Sequence, residues 1–222
     1  MNKQKLREVY CQFWEDFRRL CTVGGSTCRP NNDSKIQLET NGQDLTIRTF
    51  CYFPDWRFKV PHTNERIHIL TQSSETYSRQ TDRMSRSNVR VLYLNMNGTS
   101  GEPLLALHYD FVLPIQSAHP VFHAQFGAGD FLPRDLEEVG FRATIEAPPT
   151  GTLYSSVRIP TACMSFGSVL LGLAADHLEP LIFGRVLKLV RSSKLSSWNA
   201  ACDALQDSLR DGNYLPSHHW YK

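Results

Sequence analysis

No two of the six cysteines stand in a C-x-x-C pair, so a zinc knuckle is not expected. No stretch approaches the roughly 20 apolar residues that span a bilayer. The longest, Val169–Ala175, is interrupted by Gly172 and followed by Asp176 and His177. The start, Asn2-Lys3-Gln4-Lys5, lacks the apolar run and small-residue cleavage site of a secretory signal. The expectation is a cytoplasmic chain with reduced thiols and no membrane partner. The formal net charge of +2 is too small to imply nucleic acid by itself. There is no phosphate-cradling glycine loop, no G-x-S-x-G elbow and no H-E-x-x-H, so no motif names a cofactor. Internal repeats and clean linkers are also missing, and residues 1–222 read as a single domain.

What is present supports a globular core. The chain carries 12 Phe, 8 Tyr and 4 Trp, enough bulk to bury. Residues 2–22 read as a helix, because Leu6, Val9, Tyr10, Phe13, Trp14, Phe17, Leu20 and Cys21 recur at three- and four-residue intervals. The stripe is mostly aromatic, so this helix should lie across a sheet or a partner. Gly24-Gly25 ends it.

Strands follow. Lys35–Glu39 and Asp44–Phe53 flank Asn41-Gly42, a hairpin signal. Pro54 and Pro61 break the pattern, and Arg66–Thr71 is a short strand. Residues 72–88, polar and rich in Ser and Arg, read as a mobile loop or an exposed hairpin. Val89–Met96 and Leu104–Phe111 flank a second hairpin signal, N-G-T-S-G. His119–Phe126 comes next, then a weak strand at Phe141–Ala147. The last third turns helical over Ser165–Leu178 and Leu181–Val190. A final helix capped by Ser196 or Ser197 would carry Trp198, Ala201, Cys202, Leu205 and Leu209. An N-terminal helix, an antiparallel meander of about five or six strands and a helical last third define an α+β fold.

The most suggestive chemistry lies in two strands. Alternation in Leu104–Phe111 sets Ala106, His108 and Asp110 on one face, and alternation in the next strand groups His119, Val121, His123 and Gln125. If the strands are neighbours in the right register, His108, Asp110, His123 and Gln125 meet. A His–Asp pair orients an imidazole and raises its basicity. Two histidines and a carboxylate are also the minimum of a three-ligand metal site. His119 and His123 lie roughly 13 Å apart along a strand and cannot share an ion. A one-residue slip would undo the grouping. The same residues can equally be half-buried groups bonded across a sheet.

Three other features carry alternatives. Arg79, Arg83, Arg86 and Arg90 could grip phosphates, or form a solvated face. Tyr77 and Tyr93 are the nearest stacking partners. His177, at a helix C-terminus, is favoured when protonated, or simply packs. Cys163, before a helix in T-A-C-M-S-F-G-S, is a candidate nucleophile with His123 or His177 as base, or a buried thiol.

The segment L-H-Y-D-F followed by H-P-V-F-H-A-Q-F-G resembles segments of small bacterial proteins and of the TumE-type toxins of toxin–antitoxin pairs. The resemblance implies a setting in bacterial conflict or anti-phage defence, where small proteins act with partners. It assigns no catalytic residue. The leading expectation is therefore an accessory or effector protein of such a module, acting through a protein partner or as a homo-oligomer. The alternatives are a metal- or histidine-dependent hydrolase, with a nuclease as the leading form, and a nucleic-acid-binding protein.

Overall fold

The computed structural model describes residues 2–23, 29–57, 66–112, 122–126, 133–145, 158–160 and 165–197. Helix α1 (Lys3–Thr22) opens the chain. The strands β1 (Lys35–Asn41), β2 (Asp44–Trp56), β3 (Ile67–Ser78), β4 (Met84–Asn97), β5 (Ser100–Val112) and β6 (Phe122–Phe126) follow as an antiparallel meander. Helix α2 (Pro133–Glu138), β7 (Thr144–Ile145) and β8 (Arg158–Pro160) come next. Helices α3 (Phe166–His177), α4 (Pro180–Ser192) and α5 (Lys194–Ser197) close the described chain. The sheet runs β1-β2-β3-β4-β5-β6-β8, with β7 pairing in parallel with β5. The fold is α+β, as the segregation of helices and strands in the sequence indicates.

Local chemistry starts and ends these elements. Asn2 caps α1 by accepting a hydrogen bond from the Gln4 amide at 2.9 Å. Gly42 and Gly98 hold φ of +58° and +62° in the two-residue turns after Asn41 and Asn97, a conformation glycine adopts without steric cost. Ser165 caps α3 through the Ser168 amide, and Pro180 occupies the first turn of α4.

Strand alternation gives the sheet two faces. Odd-numbered residues of β2 and β3, with Val89, Val91 and Tyr93 of β4, face α1, α3 and α4 in the main core. The aromatic stripe of α1 is spent here. Trp14 stacks on Phe17 and meets Phe53 edge-on, both at 5.9 Å between centroids, and Tyr10 stacks on Phe166 at 5.8 Å. A smaller core lies on the opposite face, where Leu136, Val139 and Phe141 cover Phe50, Tyr52, Leu70, Leu92 and Leu94.

Three expectations change. Of the two readings of residues 72–88, loop or exposed hairpin, the hairpin holds but not its exposure: they form most of a long β3–β4 hairpin with one face buried and a turn near 79–83. Their alternate small polar residues hide the pattern, because Ser73, Glu75 and Ser87 sit buried where apolar residues are expected. Pro54 does not end β2. A bulge between Phe53 and Trp56, with Asp55 at φ +55°, carries the strand on to Trp56. Of the weak strand expected at Phe141–Ala147, residues 141–145 are described, and only Thr144–Ile145 of them are strand. Of the final helix, Lys194–Ser197 is described, and its apolar residues Trp198 to Leu209 lie outside the described residues.

Candidate functional site on the polar face of the sheet

The register between β5 and β6 places Asp110 opposite His123 and His108 opposite Gln125. This is the alignment under which the four positions share one face, since directly opposed residues project to the same side. His108 and His123 are diagonal neighbours, a relation that spans about 7–8 Å. His119 lies outside the described residues.

The grouping extends well beyond two strands. Following the pairings outward, one row reads Gln37, Arg48, Ser74, Asn88, Asp110, His123 and Pro160. The adjacent row reads Lys35, Phe50, Gln72, Arg90, His108, Gln125 and Arg158. All but Phe50 and Pro160 are polar. Two rows of polar positions thus cross the seven strands of the main path, about 29 Å at the usual inter-strand spacing. Next to them, toward Tyr52 and Leu70, the face becomes apolar and is covered by the smaller core.

Asn88 is the hub of the central part, and strand-by-strand reading of the sequence missed it. Its amide nitrogen lies 2.7 Å from His108 Nε2 and donates to Asp110 Oδ1 at 3.4 Å. With an amide N–H as donor, Nε2 accepts, and the imidazole proton belongs on Nδ1. Burial lowers the pKa of His108, Asp110 opposes that shift, and the Arg90 guanidinium adds to it. His108 is therefore a neutral imidazole at neutral pH, held between a carboxylate and an amide. Alternation in β4 is the signal that would have found Asn88, because it falls in step with Arg90 and Arg86.

The four arginines divide between the β3–β4 turn and β4. Arg79 and Arg83 lie exposed at the β3–β4 turn. Arg86 and Arg90 lie in β4, opposite Val112 and His108. Tyr77 and Tyr93, 2% and 7% exposed, belong to the helix-covered core and offer no ring to a base on the polar face.

His177 is a packing residue. It is buried between Trp56 and Tyr93, and its Nδ1 lies 2.9 Å from the Arg57 carbonyl. Cys163 lies outside the described residues. Cys11 and Cys51 are free thiols, and burial pushes the Cys51 thiol up, away from reactivity.

Two further polar clusters escaped the sequence. At the bulge, Tyr52 Oη and His68 Nδ1 lie 2.5 Å apart, and His68 Nε2 is 3.6 Å from Asp55. Burial lowers the pKa of His68 and, with Asp55, pushes Tyr52 up to about 12. The phenol therefore donates to a neutral ring. In the main core, Glu75 is 1% exposed. It accepts from Tyr10 Oη and, at 2.8 Å, from the Phe166 amide, while Tyr10 and Tyr77 hydroxyls lie 2.6 Å apart. Burial pushes Glu75 up to about 7.

Among the described residues no group of three or more His, Cys, Asp or Glu side chains is placed to hold a metal ion, and no helix is long and apolar enough to cross a membrane. Comparison with family models, curated proteins and solved structures finds no match.

Proposed function

We propose that this chain is an accessory or effector protein that docks a protein partner on the polar rows of its sheet, in the setting of a bacterial defence or toxin–antitoxin module. The observation that carries the reading is the composition of those rows. They mix donors and acceptors of both signs, with Asp110 and Asn88 at the centre, Arg90 next to Asn88 along β4 and Arg48 two strands away on β2. Such a mixture complements a protein surface. A polyanion would be repelled by Asp110, and the tyrosines nearest the arginines, Tyr77 and Tyr93, are buried in the main core. The α1 aromatics, the other surface to suggest a partner, are consumed internally. The bacterial setting rests on the resemblance of the H-Y-D-F and H-P-V-F-H-A-Q-F-G segments alone.

The test is co-expression with the products of neighbouring genes, followed by size-exclusion chromatography. A stable complex that Arg90→Glu or Asp110→Lys disrupts supports the reading. Absence of any complex, or one indifferent to both changes, overturns it.

The register itself favours a second reading, a histidine-dependent hydrolase acting on phosphodiesters. A neutral His108 can accept a proton on Nε2 once Asn88 yields its hydrogen bond there, and His123 lies directly opposite Asp110 and diagonal to His108. Cleavage of RNA or DNA by wild type, lost in His108→Ala and in His123→Ala, would establish it. Equal inactivity of all three ends it.

A further inference from the structure

Strand β1 ends the sheet, and among the described residues no strand pairs with its outer edge. Its register with β2 is unbroken over seven residues, and it contains no proline. Edges of this kind are open to strand addition. The β1–β2 turn has two residues, between the paired Asn41 and Asp44. A turn of that length makes the flanking residues a hydrogen-bonded pair, and such pairs recur at every second residue. Asn41, Glu39, Gln37 and Lys35 thus direct their N–H and C=O groups to β2. Ile36, Leu38 and Thr40 direct theirs outward.

The sequence of this edge, Lys35-Ile36-Gln37-Leu38-Glu39, is complementary to its own reverse. We propose that the chain forms a homodimer by antiparallel β1–β1 pairing centred on Gln37. In that register Ile36 faces the partner's Leu38 as a hydrogen-bonded pair, and Leu38 faces the partner's Ile36 likewise. Lys35 meets the partner's Glu39, and the reverse, as non-hydrogen-bonded pairs, whose side chains approach more closely. Hydrogen-bonding parity, charge and apolar match agree here. Centring on Leu38 instead sets Lys35 against Asn41 and loses both ion pairs. Centring on Ile36 sets Lys35 against Gln37, with the same loss.

The flanks fit. Lys35 already pairs with Glu138 at 2.6 Å and Glu39 with Arg48 at 3.3 Å, so the new contacts extend existing ion pairs into a network. On the helix side, a groove of about 670 Å³ between the start of α1 and β1 is walled by Lys3, Arg7, Ile36 and Leu38. The incoming strand would run along it. The Gln37 row would then meet its own copy end to end, while the Lys35 row would meet the partner's Glu39.

Sedimentation equilibrium on the purified chain alone tests this, so its outcome is independent of the partner reading. The expected species at roughly 10–100 µM has twice the 25.3 kDa monomer mass. Lys35→Glu and Glu39→Lys should each weaken association at least about tenfold, because like charges then oppose one another. Mixing the two variants should restore a heterodimer. Gln37→Cys should cross-link on oxidation, and Gln43→Cys, in the turn, should not. A monomer throughout that range, or a mixture no tighter than either variant alone, overturns the proposal.

Discussion

The two faces of this sheet are written by the same strands one residue out of step, and they treat polar side chains in opposite ways. On the helix side Thr49, Ser73, Glu75 and Ser87 are each 1% exposed. They act as fasteners: Thr49 and Ser73 hydroxyls meet at 2.7 Å, and Glu75 ties β3 to α1 and to the start of α3. On the other face Asn88, Arg90, His108 and Asp110 are half-buried, and Asn88 bonds across strands to His108 and Asp110. The first set is sealed under helices and can only stabilise. The second set is pre-arranged at a surface, which is where recognition needs rigidity.

The sharpest way to break the comparison is at the sealed face. Trp14→Ala, removing a ring 1% exposed among Phe17, Phe53 and Phe166, should cost about 3–5 kcal/mol in urea denaturation. A loss below about 1 kcal/mol would show that α1 is not part of the core.

Glu75 should set a pH dependence of the next size. Its folded pKa of about 7 stands above the ordinary 4.5. The folded state therefore keeps a proton that the unfolded state releases. This contribution is complete below pH 4.5, declines as pH rises to about 7, and is level above that. The span is roughly 3 kcal/mol. Stability measured against pH should show that decline in wild type relative to Glu75→Gln. Parallel curves for the two proteins would contradict it.

On the polar face the effects should be local. NMR titration of His108 should find its pKa raised by Arg90→Gln and lowered further by Asp110→Asn, because Arg90 holds it down and Asp110 up. Opposite movement would mean that the cluster is not arranged as described. The smallest effect should come from Arg48→Ala. Its pairing with Glu39 joins two exposed groups at 3.3 Å, and its loss should change stability by less than about 1 kcal/mol.

How much of this could be read from residues alone follows from the same contrast. Apolar periodicity marks α1, α3 and α4 within a residue or two, and Asn41-Gly42 and Asn97-Gly98 mark both turns. The β3–β4 hairpin could not be told from a loop because its buried face carries Ser73, Glu75 and Ser87, whose burial depends on helices distant in sequence. The bulge at Asp55 was hidden by Pro54, which argues locally for a break. Within the site, His108, Asp110, His123 and Gln125 could be grouped, since two adjacent strands suffice for that. Asn88 and the full width of the rows could not, because they depend on five further pairings that no local pattern specifies.

The two-residue turns at Gly42 and Gly98 carry a consequence for how this chain can change. Each turn sets the parity with which the next strand enters the sheet. One residue inserted inside a strand would send every later side chain of that strand to the opposite face, driving Arg90 or His108 under the helices and Val91 or Leu107 into water. Two inserted residues preserve parity and only slide the rows. Length variation in these strands should therefore come in even steps, with odd steps confined to the turns or absorbed by a bulge such as the one at Asp55.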